Sequence, residues 1–233
     1  MSMMESELQL ALPMERIVTL LARQLGNLFE FHSSERGALE EAIESSVPSM
    51  ADCFRACRNK YYSRDGSAYF NPFHSGQYVI FLYFVSHHLS LHGHTSLADR
   101  VYYLNKALNG LDIFHGVEMP WAFFLDHPVG AVIGRAEIGA GFTFCQNCTV
   151  GSSRGVFPVI EREVTLFAGA MVIGRSRIGR CTVIGAGTQV VDRDIPPYSV
   201  VNGSRDDLVV RTISPESFEK RSFFHTSVLD AHE

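Results

Sequence analysis

The sequence predicts an α+β chain: a helical N-terminal region, residues 1–111, then a parallel β-solenoid over 112–205, then a polar tail, 206–233. Three observations carry this. Of nineteen glycines, eleven fall between Gly130 and Gly187, so that stretch turns often. Within it Ile160, Leu166, Val172, Ile178, Ile184 and Val190 recur every six residues, and Ile138, Phe144 and Val150 keep the same spacing earlier. Residues 1–111 instead carry apolar stripes of helical period.

A period of six fits neither a 3.6-residue helix nor a long two-residue alternation. It fits short strands joined by sharp turns, with three hexads closing one triangular coil. Each apolar residue then points inward and stacks on its counterpart one coil away, at about the 4.8 Å spacing of paired strands. Val164, Ala170, Ser176, Thr182 and Thr188 take the second inward position, where small or β-branched side chains let the corners close. Gly139, Gly151, Gly179 and Gly185 follow apolar positions and are expected to supply the backbone angles of the corners. Ten residues separate Val150 from Ile160 where six are expected, so four residues of 151–157 (GSSRGVF) must bulge outward. Such excursions from a solenoid commonly carry function.

In the N-terminal region, Ile17, Leu20, Leu21, Leu25 and Leu28 mark a helix beginning at Glu15. Ser33 and Ser34 before Glu35 read as the cap of a second helix, ended before Pro48. A third is expected over 49–62, a loop over 66–76, a buried helix over 77–91 and an amphipathic helix over 95–108. The tail holds one short helix near 216–223.

Composition narrows the function. A chain 46% hydrophobic is too apolar for a disordered one. Twenty basic residues face twenty-five acidic ones, spread evenly, so neither a nucleic acid nor an anionic membrane is an expected partner. The longest apolar run, 78–85, is far too short for a membrane span. The start, MSMMESELQL, has acids where an export signal needs cations. Five cysteines, an odd number, argue against a disulfide framework, and the chain is read as cytoplasmic and reduced. Cys145-x-x-Cys148 is half a metal site at most; by the hexad phase Cys148 faces inward and Cys145 outward, so no metal is expected. His87, His88, His92 and His94 cluster at the end of a buried helix and are read as core or interface histidines.

The hexads resemble the left-handed β-helix of the hexapeptide-repeat acyltransferases, and 183–205 (VIGAGTQVVDRDIPPYSVVNGSR) is similar to the way those enzymes leave the last coil. A more specific likeness lies upstream. Residues 111–134 (LDIFHGVEMPWAFFLDHPVGAVIG) resemble the start of the β-helix in serine acetyltransferases, and a Gln-x-x-Thr-apolar-Gly segment recurs at 146–151. The resemblance covers roughly 65–205. It implies acetyl-CoA as co-substrate, a small-molecule acceptor, and a homotrimer or a dimer of trimers.

Residue by residue, the resemblance makes Asp112 and His127 the catalytic pair and Asp126 an acceptor-site carboxylate. The fifteen residues between Asp112 and His127 come close to one eighteen-residue coil, which would stack the two within hydrogen-bond reach. His127 would take the proton of an acceptor hydroxyl and Asp112 would orient the imidazole. Asp65 faintly resembles an aspartate that helps bind serine. Ala168 and Ala186 match positions that bind CoA through the main chain, and Arg205 and Arg211 lie where CoA phosphates could meet them.

The chain departs from the pattern where the family places an arginine and a histidine before a proline. Here Val156 and Phe157 precede Pro158, and Arg135 replaces a glutamate. A site that selects an amino acid normally offers an arginine to its carboxylate. Arg154 or Arg135 would have to restore one. The expected acceptor is therefore a sugar or another small hydroxylated metabolite, as in surface polysaccharide synthesis, with L-serine the alternative. A non-catalytic scaffold or binding protein is the alternative of another class.

Overall fold

Ile17, Val18, Leu21 and Leu25 fall on one helical face, and all four are buried in α1 (Met14–Leu28) of the computed structural model, which describes residues 8–232. The acidic start read in the sequence lies, for residues 1–7, outside the described residues. The chain divides into two compact units, Met1–Asn109 and Gly110–Glu233. Among the described residues no helix is long and apolar enough to cross a membrane.

The first unit is helical, with two departures from expectation. One continuous helix, α2 (Arg36–Ala56), replaces the pair expected on either side of Pro48. Proline removes one hydrogen bond to the carbonyl four residues back. Both Pro48 and Glu44 are exposed, so water can serve that carbonyl. The second departure is a small sheet. β2 (Ser63–Arg64) and β3 (Ser67–Phe70) form a hairpin, and β3 pairs in parallel with β1 (Gln9–Leu10), so the expected loop 66–76 holds a strand. Ala68 and Phe70 alternate inward along it. α3 (Ser75–Leu91) is buried nearly all round, as its composition requires, and packs on α4 (Thr95–Asn109).

The second unit is a parallel β-solenoid of about five turns with three faces. The first face carries β4 (Asp112–Ile113), β6 (Val132–Ile133), β9 (Thr149–Gly151), β12 (Met171–Ile173) and β15 (Gln189–Val191). The second carries β5 (Phe123–Asp126), β8 (Phe142–Cys145), β11 (Thr165–Leu166), β14 (Val183–Ile184) and β16 (Ser199–Asn202). The third carries β7 (Glu137–Ile138), β10 (Val159–Ile160) and β13 (Arg177–Ile178). Val159 pairs with Arg177, and Thr165 with Val183, each eighteen residues on, as three hexads per coil demand. The inward columns are those expected: Val150, Val172 and Val190 on the first face, Phe144, Leu166 and Ile184 on the second, all fully buried.

The glycines after the apolar positions have a different reason from the one expected. Gly139 and Gly179 do not adopt positive φ. They lie where successive coils touch: a Cβ on Gly179 would sit 2.4 Å from the Pro197 nitrogen, and one on Gly139 2.5 Å from the Arg162 nitrogen. The left-handed corner positions fall to other residues, among them His127, Asn147, Glu163, Cys181 and Tyr198.

The excursion after β9 is a minimal hairpin. Ser153 and Val156 exchange backbone bonds of 3.0 Å each, with Arg154 and Gly155 at its tip, both at positive φ. A two-residue turn of that type accounts for the four extra residues without disturbing the stacking.

The C-terminal segment is a structural strap. β17 (Val209–Thr212) runs antiparallel along β16, and α5 (Pro215–Glu219) and α6 (Thr226–Asp230) follow. Phe218 packs with Cys181 and Val183 on the upper coils. The Ser222 hydroxyl lies 3.4 Å from the buried Glu163 carboxylate, and Arg162 bonds Asp230 at 2.6 Å. Phe223 stacks on Phe124 and His232 on Trp121. The strap crosses the second face from its last coil to its first, and the outward residues Phe124, Thr143, Thr165 and Val183 are all buried.

One of these, Thr143, has a fully buried hydroxyl with no hydrogen-bond partner among the described residues. An unsatisfied buried hydroxyl costs about 1–3 kcal/mol. Thr143→Val keeps the shape and removes the oxygen, so thermal unfolding should show a midpoint raised by a few degrees. A lowered midpoint would mean the hydroxyl is bonded.

Candidate active site

β5 runs Phe123, Phe124, Leu125, Asp126; Phe123 and Leu125 stack inward on Phe142 and Phe144, which leaves Phe124 and Asp126 facing out. The chain then turns the corner from the second face to the first. His127 makes that turn at φ 50°, a conformation a β-carbon disfavours. Its side chain is 86% exposed, and its Nε2 lies 3.6 Å from Asp126 Oδ1. Pro128 and Val129 lead on to Gly130, whose N–H donates to the Gly110 carbonyl at 2.7 Å.

Asp112 begins β4 on the coil beneath β6, and its N–H donates to the Ala131 carbonyl at 2.8 Å. Its register partner is Val132, twenty residues on. The first coil is thus longer than the eighteen residues assumed from the sequence. His127 stands at the corner between β5 and β6, with the Asp126 carboxylate beside its imidazole.

The same corner recurs on every coil. Asn147 donates to the Val129 carbonyl at 3.0 Å, Gly169 to Gln146 at 2.8 Å and Gly187 to Ala168 at 2.8 Å. His127, Ala168 and Ala186 therefore line one edge of the prism. Ala168 is half-buried and Ala186 exposed. The edge ends near Arg205, an exposed residue at φ 48° whose carbonyl accepts from Arg193 at 3.3 Å. Arg211, in β17, is also exposed. The remaining sequence candidates stand elsewhere. Asp65 occupies the β2–β3 turn at φ 52° in the other unit, and Arg154 the hairpin tip at the opposite edge of the first face.

That opposite edge carries a pattern the sequence reading missed. Arg135, Arg154, Arg175 and Arg193 are all exposed where the chain passes from the first face to the third. Arg175 and Arg193 lie eighteen residues apart, the signal that could have revealed the column.

Cys145, expected to face outward, is buried at 5% exposure. It does point out of the prism, but it pairs in register with Asp126. Burial first, then Cys148 and Asp126, push its thiol up to about 11. Such a thiol is protonated near neutrality and is no nucleophile. Among the described residues no three His, Cys, Asp or Glu side chains are placed to hold a metal ion. In the histidine cluster of the first unit, His88 and His92 stack at 3.9 Å, and burial lowers the pKa of His88.

No protein-family model matches the chain. A serine acetyltransferase of Bacillus licheniformis is 33% identical over 143 residues, which cover 59% of this chain and 66% of the relative. The chain thus spans just under two thirds of that protein's length. The crystal structure of a Neisseria gonorrhoeae serine acetyltransferase superposes with a TM-score of 0.67 at 27% identity, covering 88% of this chain and 83% of that one; a second structure of the gonococcal protein is a complex with serine. A serine acetyltransferase in complex with CoA superposes with a TM-score of 0.67 at 22% identity, a likeness of fold, covering 85% of this chain and 84% of the other. In sequence and in architecture the chain is thus similar to serine acetyltransferases, and its parallel β-solenoid of about five turns, preceded by helices, matches their structures.

Proposed function

We propose that this chain is an acetyl-CoA-dependent O-acetyltransferase whose acceptor is L-serine. The observation that carries the reading is the exposed His127, beside Asp126, at the foot of an edge that continues through Ala168 and Ala186. A neutral hydroxyl attacks a thioester poorly at neutral pH. The His127 imidazole would accept the hydroxyl proton as the oxygen bonds to the acetyl carbon. The carbon–sulfur bond then breaks, and the CoA thiolate leaves with the proton returned from the imidazolium. A backbone N–H would stabilise the tetrahedral oxyanion. No acetyl-enzyme is needed, which agrees with the high pKa of Cys145.

The relatives favour serine over the sugar expected from the sequence, because the proteins similar to this chain are serine acetyltransferases, one of them with serine bound. The carboxylate of serine still needs a cation, and within one chain none of the four edge arginines stands at the His127 corner. A second copy supplies it in this reading. The strap covers the second face, and Glu137 and Arg177 make the third polar. The first face keeps Val132 exposed and Met171, Ile173 and Val191 half-buried, the apolar surface suited to a neighbouring copy. In a homotrimer closed on that face, the arginine edge of one copy approaches the His127 edge of the next.

The test is CoA-thiol release with a panel of acceptors. L-serine should reach a kcat/KM of about 10⁴ M⁻¹s⁻¹ or more, the level of a competent pair, with monosaccharides at least about tenfold lower. Arg154→Ala should raise the KM for serine and leave that for acetyl-CoA unchanged. Sugars outperforming serine would remove the acceptor assignment. No thiol release with any alcohol would remove the enzyme.

A further inference from the structure

The candidate base directly follows an edge strand of its sheet. β5 is the outermost strand of the second face, hydrogen-bonded within that sheet only to β8. The residue that follows it, His127, holds a left-handed conformation that a non-glycine residue keeps only when its surroundings fix it. Edge strands open first when local structure loosens, so something must hold this one.

We infer that the C-terminal strap does so, and that Phe223 and His232 are positioning residues for His127. The ring of Phe223 stacks on Phe124 with centroids 5.5 Å apart, and Phe124 lies two residues before Asp126 on the same outward side of β5. His232 stacks on Trp121, just ahead of the strand, at 4.0 Å. These two stacks bracket the start and middle of β5. The strap is anchored independently of them. β17 is zipped to β16 at the far edge of the sheet, and midway Ser222 meets Glu163 while Asp230 meets Arg162. A segment fixed at two other points can press on β5 and hold it against β8. Neither aromatic contact involves Asp126 or His127 itself, so the effect passes through the strand backbone. The inference rests on His127 being the base.

The chain has a single tryptophan, Trp121, so its fluorescence reports strap docking directly. The experiment compares Phe223→Ala and His232→Ala with Phe223→Leu and His232→Phe in the full-length protein. The alanine variants should shift the Trp121 emission, stay folded by circular dichroism at the assay temperature, and lose about tenfold or more in kcat with the KM for acetyl-CoA unchanged, as a misplaced catalytic group does. The conservative variants, which keep an apolar or aromatic contact, should restore kcat. Unchanged kcat in folded alanine variants, or a loss that merely follows the unfolded fraction, overturns the inference. If the wild-type protein acetylates nothing, it is the enzymatic reading that falls. Positioning is then decided by the ring resonances of His127, assigned with His127→Gln: a shift in the alanine variants supports it, and unmoved resonances overturn it.

Discussion

His127→Ala is expected to lower turnover about 10²-fold or more, the usual contribution of a general base, while acetyl-CoA binding stays as it was. The side chain is exposed and makes no packing contribution that its loss would forfeit, so the variant should fold normally. Removing it leaves the acceptor hydroxyl to lose its proton to water. Thiol release at saturating acetyl-CoA measures the effect, and calorimetry checks cofactor binding. Near-normal turnover would sink the mechanism. The carboxylate beside the imidazole is probed in the same assay. Asp126→Asn should lower turnover by less than His127→Ala does, because the base itself remains. Unchanged turnover in Asp126→Asn would mean that this carboxylate does not act on the ring.

Gly179→Ala is expected to be among the most damaging methyl additions in the solenoid. The new carbon would lie 2.4 Å from the Pro197 nitrogen and 2.8 Å from the Pro196 carbonyl carbon. Those atoms are backbone, held by two consecutive proline rings, and cannot turn aside as a side-chain tip would. Overpacking of a rigid site costs about 3 kcal/mol or more, which for a domain of this size lowers the thermal midpoint by roughly 6–12 °C. Gly26→Ala is the control. Its Cβ would meet nothing within 4 Å on an exposed turn of α1, so it should hold or slightly raise the midpoint. Equal midpoints for both variants would mean that neighbouring coils slide apart freely.

The solenoid was legible because its signal is periodic. Leu166, Val172 and Ile178 each repeat one instruction, and the eighteen-residue register follows from three of them. No single strand was legible alone, since most are two or three residues long and too short for propensity to act. Pro48 misled because local stiffness was weighed without knowing that Glu44 faces water. The strap was missed because Phe218, Phe223, Phe224 and Leu229 are scattered among polar residues with no fixed period. The residues that cover a face need match only the pits on it. At the candidate site, the residue types were readable and the length of the first coil was not. Asp112 pairs with Val132, twenty residues on, and nothing in the hexads sets that length.

The strap also fixes an order of events during synthesis. Its residues are made after the face they cover, which is complete once β16 has been added. Until the strap follows, Phe124, Val183 and their neighbours form an open strip on an otherwise finished prism. At translation speeds of about 5–20 residues per second, the strip stays bare for a second or more in every nascent chain. A chain cut short before residue 209 would leave it bare permanently, with β16 offering an unprotected edge to other chains. The loss of residues 209–232 should therefore appear in cells first as aggregation, before any question of catalysis arises.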